Sequence, residues 1–256
     1  MTLICTVISS VGIVQLSDSN ISSGNSLAGH GKKVFDLGFS DGALALAGAY
    51  SVGRQRMDQW MDDCIREYRE AAEPTLAGFG EHLRERLRTE MSREESSAGS
   101  IVHLAGYTSD EHGVHPEMIF IRNIEGINDQ TGDYLNPTSD FQLSEDFWHR
   151  DYLTQATKKS LVSGGYQMYF NGFSHGRIAF AGVGQRLREF YSMVWSEPDW
   201  QFHPPQSVEE LARFVELEVR AVAVLFASSG YPPVIGGEIQ TCAVPAPPNA
   251  RLGDNF

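Results

Sequence analysis

Long apolar runs are missing from this chain of 256 residues, and the longest, Ala221 to Ala227, is far shorter than the roughly 18 to 20 residues that cross a bilayer. No membrane-spanning helix is expected. Cysteine is scarce: Cys5, Cys64 and Cys242 form an odd, scattered set without metal-ligand spacing, which argues against a disulfide framework and a cysteine zinc site. The three thiols read as small buried hydrophobes in a reducing compartment. Basic residues are the minority charge, 20 Lys and Arg against 33 Asp and Glu, and the formal charge of −13 repels phosphate backbones and anionic membrane surfaces. Neither nucleic acid nor a membrane is an expected partner. Internal repeats and low-complexity segments are lacking too. The first residues carry no basic segment ahead of their apolar ones, so they do not read as a signal peptide, and a cytoplasmic location is expected.

What is present is an ordinary globular composition, 41% hydrophobic and 21% charged, on a chain long enough to bury one large core. Leu3 to Ile8 and Ile13 to Leu16, joined through Ser9-Ser10-Val11-Gly12, read as an opening hairpin. After a polar loop from Asp18 to Gly31, Lys33 to Phe39 and Ala43 to Ala47 read as two more strands. Met57, Trp60, Met61, Cys64, Ile65 and Tyr68 then fall at helical spacing, and a second helix follows Thr75, an N-cap candidate. Ile101 to Tyr107 and Met118 to Ile121 form a predicted hairpin.

Residues 125 to 175 show no sustained periodicity and read as an insertion. Beyond them the sequence predicts a short strand from Arg177 to Phe180, a Gly182-Val183-Gly184 turn, a helix to about Trp195, a helix capped by Ser207, and a closing strand from Ile239 to Val244. The expected organisation is one domain over 1–244 and an extended tail over 245–256, opened by Pro245-Ala246-Pro247-Pro248. Strands, two helices, strands, two helices and a strand, in segregated runs, predict an α+β fold in which helix pairs cover antiparallel sheets.

Amide hydrolysis needs a nucleophile, a base and donors for the oxyanion, and a threonine at a mature N-terminus brings the first two in one residue. Thr2, exposed by removal of Met1, is that candidate. Its free α-amine, with a reference pKa of about 7.7 to 8.0, needs a lysine and a carboxylate close by to tune it.

Thr2, the run Gly12-Ile13-Val14-Gln15-Leu16-Ser17-Asp18-Ser19, then Gly24-Asn25, Lys32-Lys33-Val34-Phe35 and Ala45-Leu46-Ala47-Gly48 together resemble the opening of proteasome β-subunits and the related bacterial HslV and Anbu proteins. The resemblance covers the first fifty residues, with Gly236-Gly237-Glu238 resembling the turn before that family's final strand. It implies the four-layer αββα sandwich of the proteasome-like N-terminal-nucleophile hydrolases. It also implies site roles: Thr2 as nucleophile, Asp18 and Lys33 as its charge network, and the Gly48 N–H as an oxyanion donor. The Asp-to-Lys interval is one residue shorter than the usual pattern, and Lys33, the second lysine of the pair, is the residue carried over. The family's serine before the third helix has Val183 in its place, and the segment before the late Gly-Gly reads Tyr231-Pro232-Pro233-Val234-Ile235.

The expected activity is that of a threonine peptidase needing no cofactor or metal, acting on a peptide or amide. Self-association into rings or arcs and an ATPase or unfoldase partner are implied by the resemblance. A catalytically silent ring subunit and a non-peptide amidase are the alternatives. Plainer readings exist for the same residues: Thr2 as an ordinary first-strand residue, Asp18 as a loop cap, Lys33 as a solvated lysine, and Gly48 as glycine for backbone conformation alone. His103, His112 and His115 near Asp110 read as solvated histidines rather than metal ligands, and Gly182-Val183-Gly184 lacks the residues of a phosphate loop.

Overall fold

The computed structural model describes residues 2–23, 26–71, 73–111, 113–128, 134–144, 161, 165–172, 174–197, 203–230 and 234–250. Met1, Gly24, Asn25, His112, Tyr231, Pro232, Pro233 and the end of the tail lie outside them.

The fold is of the α+β class. Strands β1 (Leu3–Ser9) and β2 (Gly12–Asp18) form the expected hairpin, with Ile8 opposite Ile13 and Ile4 opposite Ser17. The polar loop that follows folds into a small hairpin, β3 (Asn20–Ser23) and β4 (Ser26–His30). β5 (Val34–Asp36) and β6 (Ala43–Gly48) come next, then a tight hairpin of β7 (Ser51–Val52) and β8 (Gln55–Arg56).

Helix α1 (Met57–Arg69) buries Met57, Trp60, Met61, Cys64 and Ile65, the stripe that its helical spacing predicts. Helix α2 (Leu76–Glu90) starts where Thr75 accepts a hydrogen bond from the Gly78 N–H, and a single-turn helix α3 (Arg93–Ser96) is opened by a Ser92/Glu95 capping box. β9 (Ser100–Asp110) and β10 (Gly113–Ile127) form the second predicted hairpin, longer than the sequence indicates.

Two segments read as insertion are strands: β11 (Tyr134–Leu143) pairs with β10, and β12 (Tyr166–Gly172) pairs with β1. A further difference follows them. Residues Arg177 to Phe180 are helical, not a strand, and Gly182-Val183-Gly184 is no turn; all lie inside α4 (Ser174–Ser196). Helix α5 (Val208–Ala227) is capped by Ser207 and β13 (Ile239–Pro245) closes the fold, both as predicted.

One sheet has the order β12-β1-β2-β13 and the other β11-β10-β9-β6-β5. Alternation along β1 explains how they stack. Leu3, Cys5 and Val7 pack with Val215, Val219 and Val222 of α5, whereas Ile4 meets Ala45, Ala47 and Ile101 of the other sheet and Ile8 meets Ala43 and Ala105. On the five-stranded sheet, Leu44, Leu46, Val102 and Leu104 point away from that interface, toward Trp60, Met61, Phe79 and Leu83 of α1 and α2. Both faces of β1 are therefore buried, and the whole strand is apolar or hydrogen-bonded.

A polar network interrupts the apolar contact between the sheets. The Thr6 hydroxyl donates to Gln15 Oε1 at 2.7 Å and lies 2.9 Å from His103 Nδ1, while Asn171 Nδ2 is 2.8 Å from His103 Nε2. With the Thr6 proton committed to Gln15, His103 donates from Nδ1 and accepts at Nε2, the neutral tautomer. Burial pushes its pKa down to about 3, which keeps it neutral. The sequence reading of His103 and His115 as solvated is corrected: both are buried, and His103 links its own sheet to Thr6 and Asn171 of the other. Among the described residues no group of three or more His, Cys, Asp or Glu could hold a metal ion, and no described helix is long and apolar enough to cross a membrane.

Candidate active site

Thr2 stands immediately before β1, Asp18 at the end of β2 and Lys33 immediately before β5, so the β1–β2 hairpin and the edge of the second sheet converge on one point. The first two are brought together by the hairpin register itself, since the Leu3 N–H donates to Asp18 Oδ1 at 2.9 Å. Asp18 Oδ2 accepts from the N–H groups of Asn20 and Gly236, each at 3.2 Å. The Gly236-Gly237 turn thus does specific work: it delivers a backbone donor to a buried carboxylate from 218 positions away. Gly237 is glycine because a Cβ there would come within 2.5 Å of Ser19 Oγ and Asn20 Oδ1, at a φ of +75°.

Lys33 meets the nucleophile candidate directly. Its Nζ lies 2.5 Å from Thr2 Oγ1 and 3.7 Å from Asp18 Oδ1, and it also donates to the carbonyl of Asn20. Thr2, Asp18 and Lys33 are 5%, 0% and 1% exposed, which rules out the plainer reading of Lys33 as a solvated strand lysine. Its neighbour Lys32 is the solvated one, paired at the surface with Asp62.

Burial pushes the Lys33 ammonium down to about 8, with Asp18 pulling in the opposite direction. Burial also raises the Asp18 carboxyl, against the pull of Lys33 and of the Leu3 and Gly236 N–H groups. A lysine that titrates at about 8 when folded and near 10.5 when unfolded leaves the unfolded chain holding the extra proton between those values, so stability rises with pH across that window. Below pH 8 the charged lysine costs roughly 3 kcal/mol of folding free energy. Such a cost is typical of a group placed for chemistry rather than for packing.

Gly48 ends β6 at a φ of +116°, opposite Ser100, and a Cβ there would strike Gly99 O at 2.1 Å. Its conformation alone demands glycine. Gly48 also lines a cleft of about 740 Å³ together with Thr2, Lys33, Ile21, Tyr50 and Arg54, so the candidate nucleophile, its lysine and this backbone position share one opening. The wall opposite is the β7–β8 hairpin, whose Gly53 and Arg54 N–H groups donate to Glu95 at 3.2 and 3.3 Å.

No protein-family model matches the sequence. No curated protein matches it either. The assignment of a role to the cleft therefore rests on its own geometry and on the resemblance of the first fifty residues. Thr2, Lys33 and Gly48 line it, and Asp18 lies fully buried beside Lys33. Sequence reading missed Gly172, which ends β12 with a φ of +125° and would place a Cβ 1.9 Å from the Thr2 carbonyl. It also missed Asn20, whose carbonyl accepts from Lys33. Nothing local marks either residue.

Proposed function

We propose that this chain is an N-terminal threonine hydrolase with the four-layer αββα sandwich of the proteasome-like type. Thr2, freed by removal of Met1, cleaves peptide amide bonds. One observation carries the reading: a threonine hydroxyl 2.5 Å from a buried lysine whose pKa lies near 8, at the floor of an open cleft. In the neutral form Lys33 accepts the Thr2 hydroxyl proton as Oγ1 attacks the substrate carbonyl, and the resulting ammonium faces Asp18. The Gly48 N–H stabilises the oxyanion, and the proton taken up by Lys33 passes through the neutral α-amine released from Met1 to the leaving nitrogen. Lys33 thus contacts the nucleophile itself, beyond tuning the amine.

The silent-subunit reading drew on Val183 standing where a turn serine is expected. Position 183 lies inside α4 and so is not that turn residue, and Pro232 and Pro233, the other ground for the silent-subunit reading, lie outside the described residues. Assembly into rings or arcs is supported by exposed Ile178, Phe190 and Met193 on α4 and Leu217, Val224 and Leu225 on α5.

The test is hydrolysis of short fluorogenic peptide amides as a function of pH. With Lys33 depressed to about 8, kcat/KM rises tenfold per pH unit on the acid side and levels above about 8. A rate that stays flat from about pH 6.5 to 9.5 removes Lys33 from the proton path.

A further inference from the structure

The residue that must be placed most accurately in this site belongs to no regular ladder. β5 begins at Val34, and residues 31 to 33 leading into it carry no strand assignment. Two backbone bonds hold that segment from the hairpin side and from β6: the Gly31 N–H donates to Ser19 O at 2.9 Å, and the Leu46 N–H donates to Lys33 O at 3.0 Å. The Lys33 N–H and the Gly31 carbonyl are left for a side chain. Gln240 takes both, accepting from the Lys33 N–H at 2.7 Å through Oε1 and donating to Gly31 O at 2.8 Å through Nε2.

Its position in the sheet explains the reach. Gln240 lies opposite Ser17 in the β13–β2 ladder, one step from the pair Ile239 and Asp18, and it shares the inward face of β13 with Cys242 and Val244. The ladder that sets Asp18 therefore also sets Gln240. Only a glutamine meets the chemistry: asparagine is one methylene short, glutamate lacks the donor and leucine lacks both groups.

We infer that Gln240 is a positioning residue for Lys33, holding the unpaired segment 31–33 so that Nζ stays on Thr2 Oγ1 and beside Asp18. The inference rests on the hydrolase reading for its catalytic meaning, but the link to Lys33 can be measured without substrate. Misplacing a reacting group by about 1 Å costs on the order of 100-fold in rate.

The experiment follows the Lys33 side-chain nitrogen by NMR titration in the native protein, Gln240→Leu and Gln240→Glu, with Lys33→Ala assigning the signal. Covalent labelling by a peptide epoxyketone is timed in parallel. In Gln240→Leu the Lys33 midpoint moves up from about 8 toward 10.5 as water reaches the loosened segment, and labelling slows by roughly 10- to 100-fold. Gln240→Glu keeps the acceptor for the Lys33 N–H and labels faster than the leucine variant. Coincident Lys33 titrations in native and Gln240→Leu overturn the inference, whatever the labelling does. Should the leucine variant not fold, the native protein decides: the Lys33 amide resists hydrogen exchange, and exchange at the rate of an open amide overturns it. If the native protein takes no label while the Lys33 midpoint still responds to Gln240, positioning stands and the hydrolase reading fails.

Discussion

Lys33→Ala is expected to lower kcat/KM by about three orders of magnitude or more, because in the proposed mechanism it removes the group that receives the nucleophile's proton and not merely a neighbour of it. The folded state survives. Charged Lys33 opposes folding by roughly 3 kcal/mol below pH 8, which offsets much of the packing lost with its stem. Lys33→Met, which fills the space without the amine, separates the two effects. Both variants lose turnover equally, while urea unfolding shows the methionine variant to be more stable than the alanine variant. Turnover near the native level in either variant removes the lysine from the mechanism.

Asp18→Asn has the largest expected effect on stability, a loss of roughly 3 to 5 kcal/mol. The carboxylate accepts three backbone N–H groups across its two oxygens, and an amide offers a single oxygen and turns its NH₂ toward a donor. Lys33 loses its buried counter-charge at the same time. Since Asp18 is what raises the Lys33 pKa against burial, the acid limb of the pH–rate profile moves below pH 8 in this variant. Chemical unfolding and a pH–rate profile read the two consequences separately. An unchanged midpoint in both means that Asp18 is an ordinary loop cap.

Much of this arrangement can be read from the chain alone. Thr2, Asp18 and Lys33 each sit at a strand boundary, so the β1–β2 hairpin and the approach to β5 bring them together once the alternation of apolar residues fixes the registers. Caps at Thr75 and Ser207 were equally legible, because their hydroxyls act on N–H groups three residues away.

Other features have no local signature. β11 is largely exposed and contains Pro137, so the alternation that marks a half-buried strand is absent. α4 carries Gly176, Gly182 and Gly184, which argue against a helix on propensity. Gly184 is nevertheless required there, because a Cβ would lie 2.7 Å from the buried Glu218 carboxylate and 2.8 Å from the Arg188 guanidinium. That pair, bridged at 3.1 Å, ties α4 to α5, and burial raises Glu218 to about 7. Gln240 acts on a residue 207 positions earlier. Tertiary contact, not pattern, decides in each of these cases.

The central claim is that the Thr2 hydroxyl and a free Thr2 amine form one reactive centre. Intact-mass spectrometry of the protein from its native host, before and after treatment with a peptide epoxyketone and followed by peptide mapping, tests it most directly. The account predicts a chain lacking Met1 that gains one inhibitor mass, located on Thr2 and lost in Thr2→Ala. Full retention of Met1 with no adduct at any pH between about 6 and 9, the range in which an α-amine titrates, would contradict it.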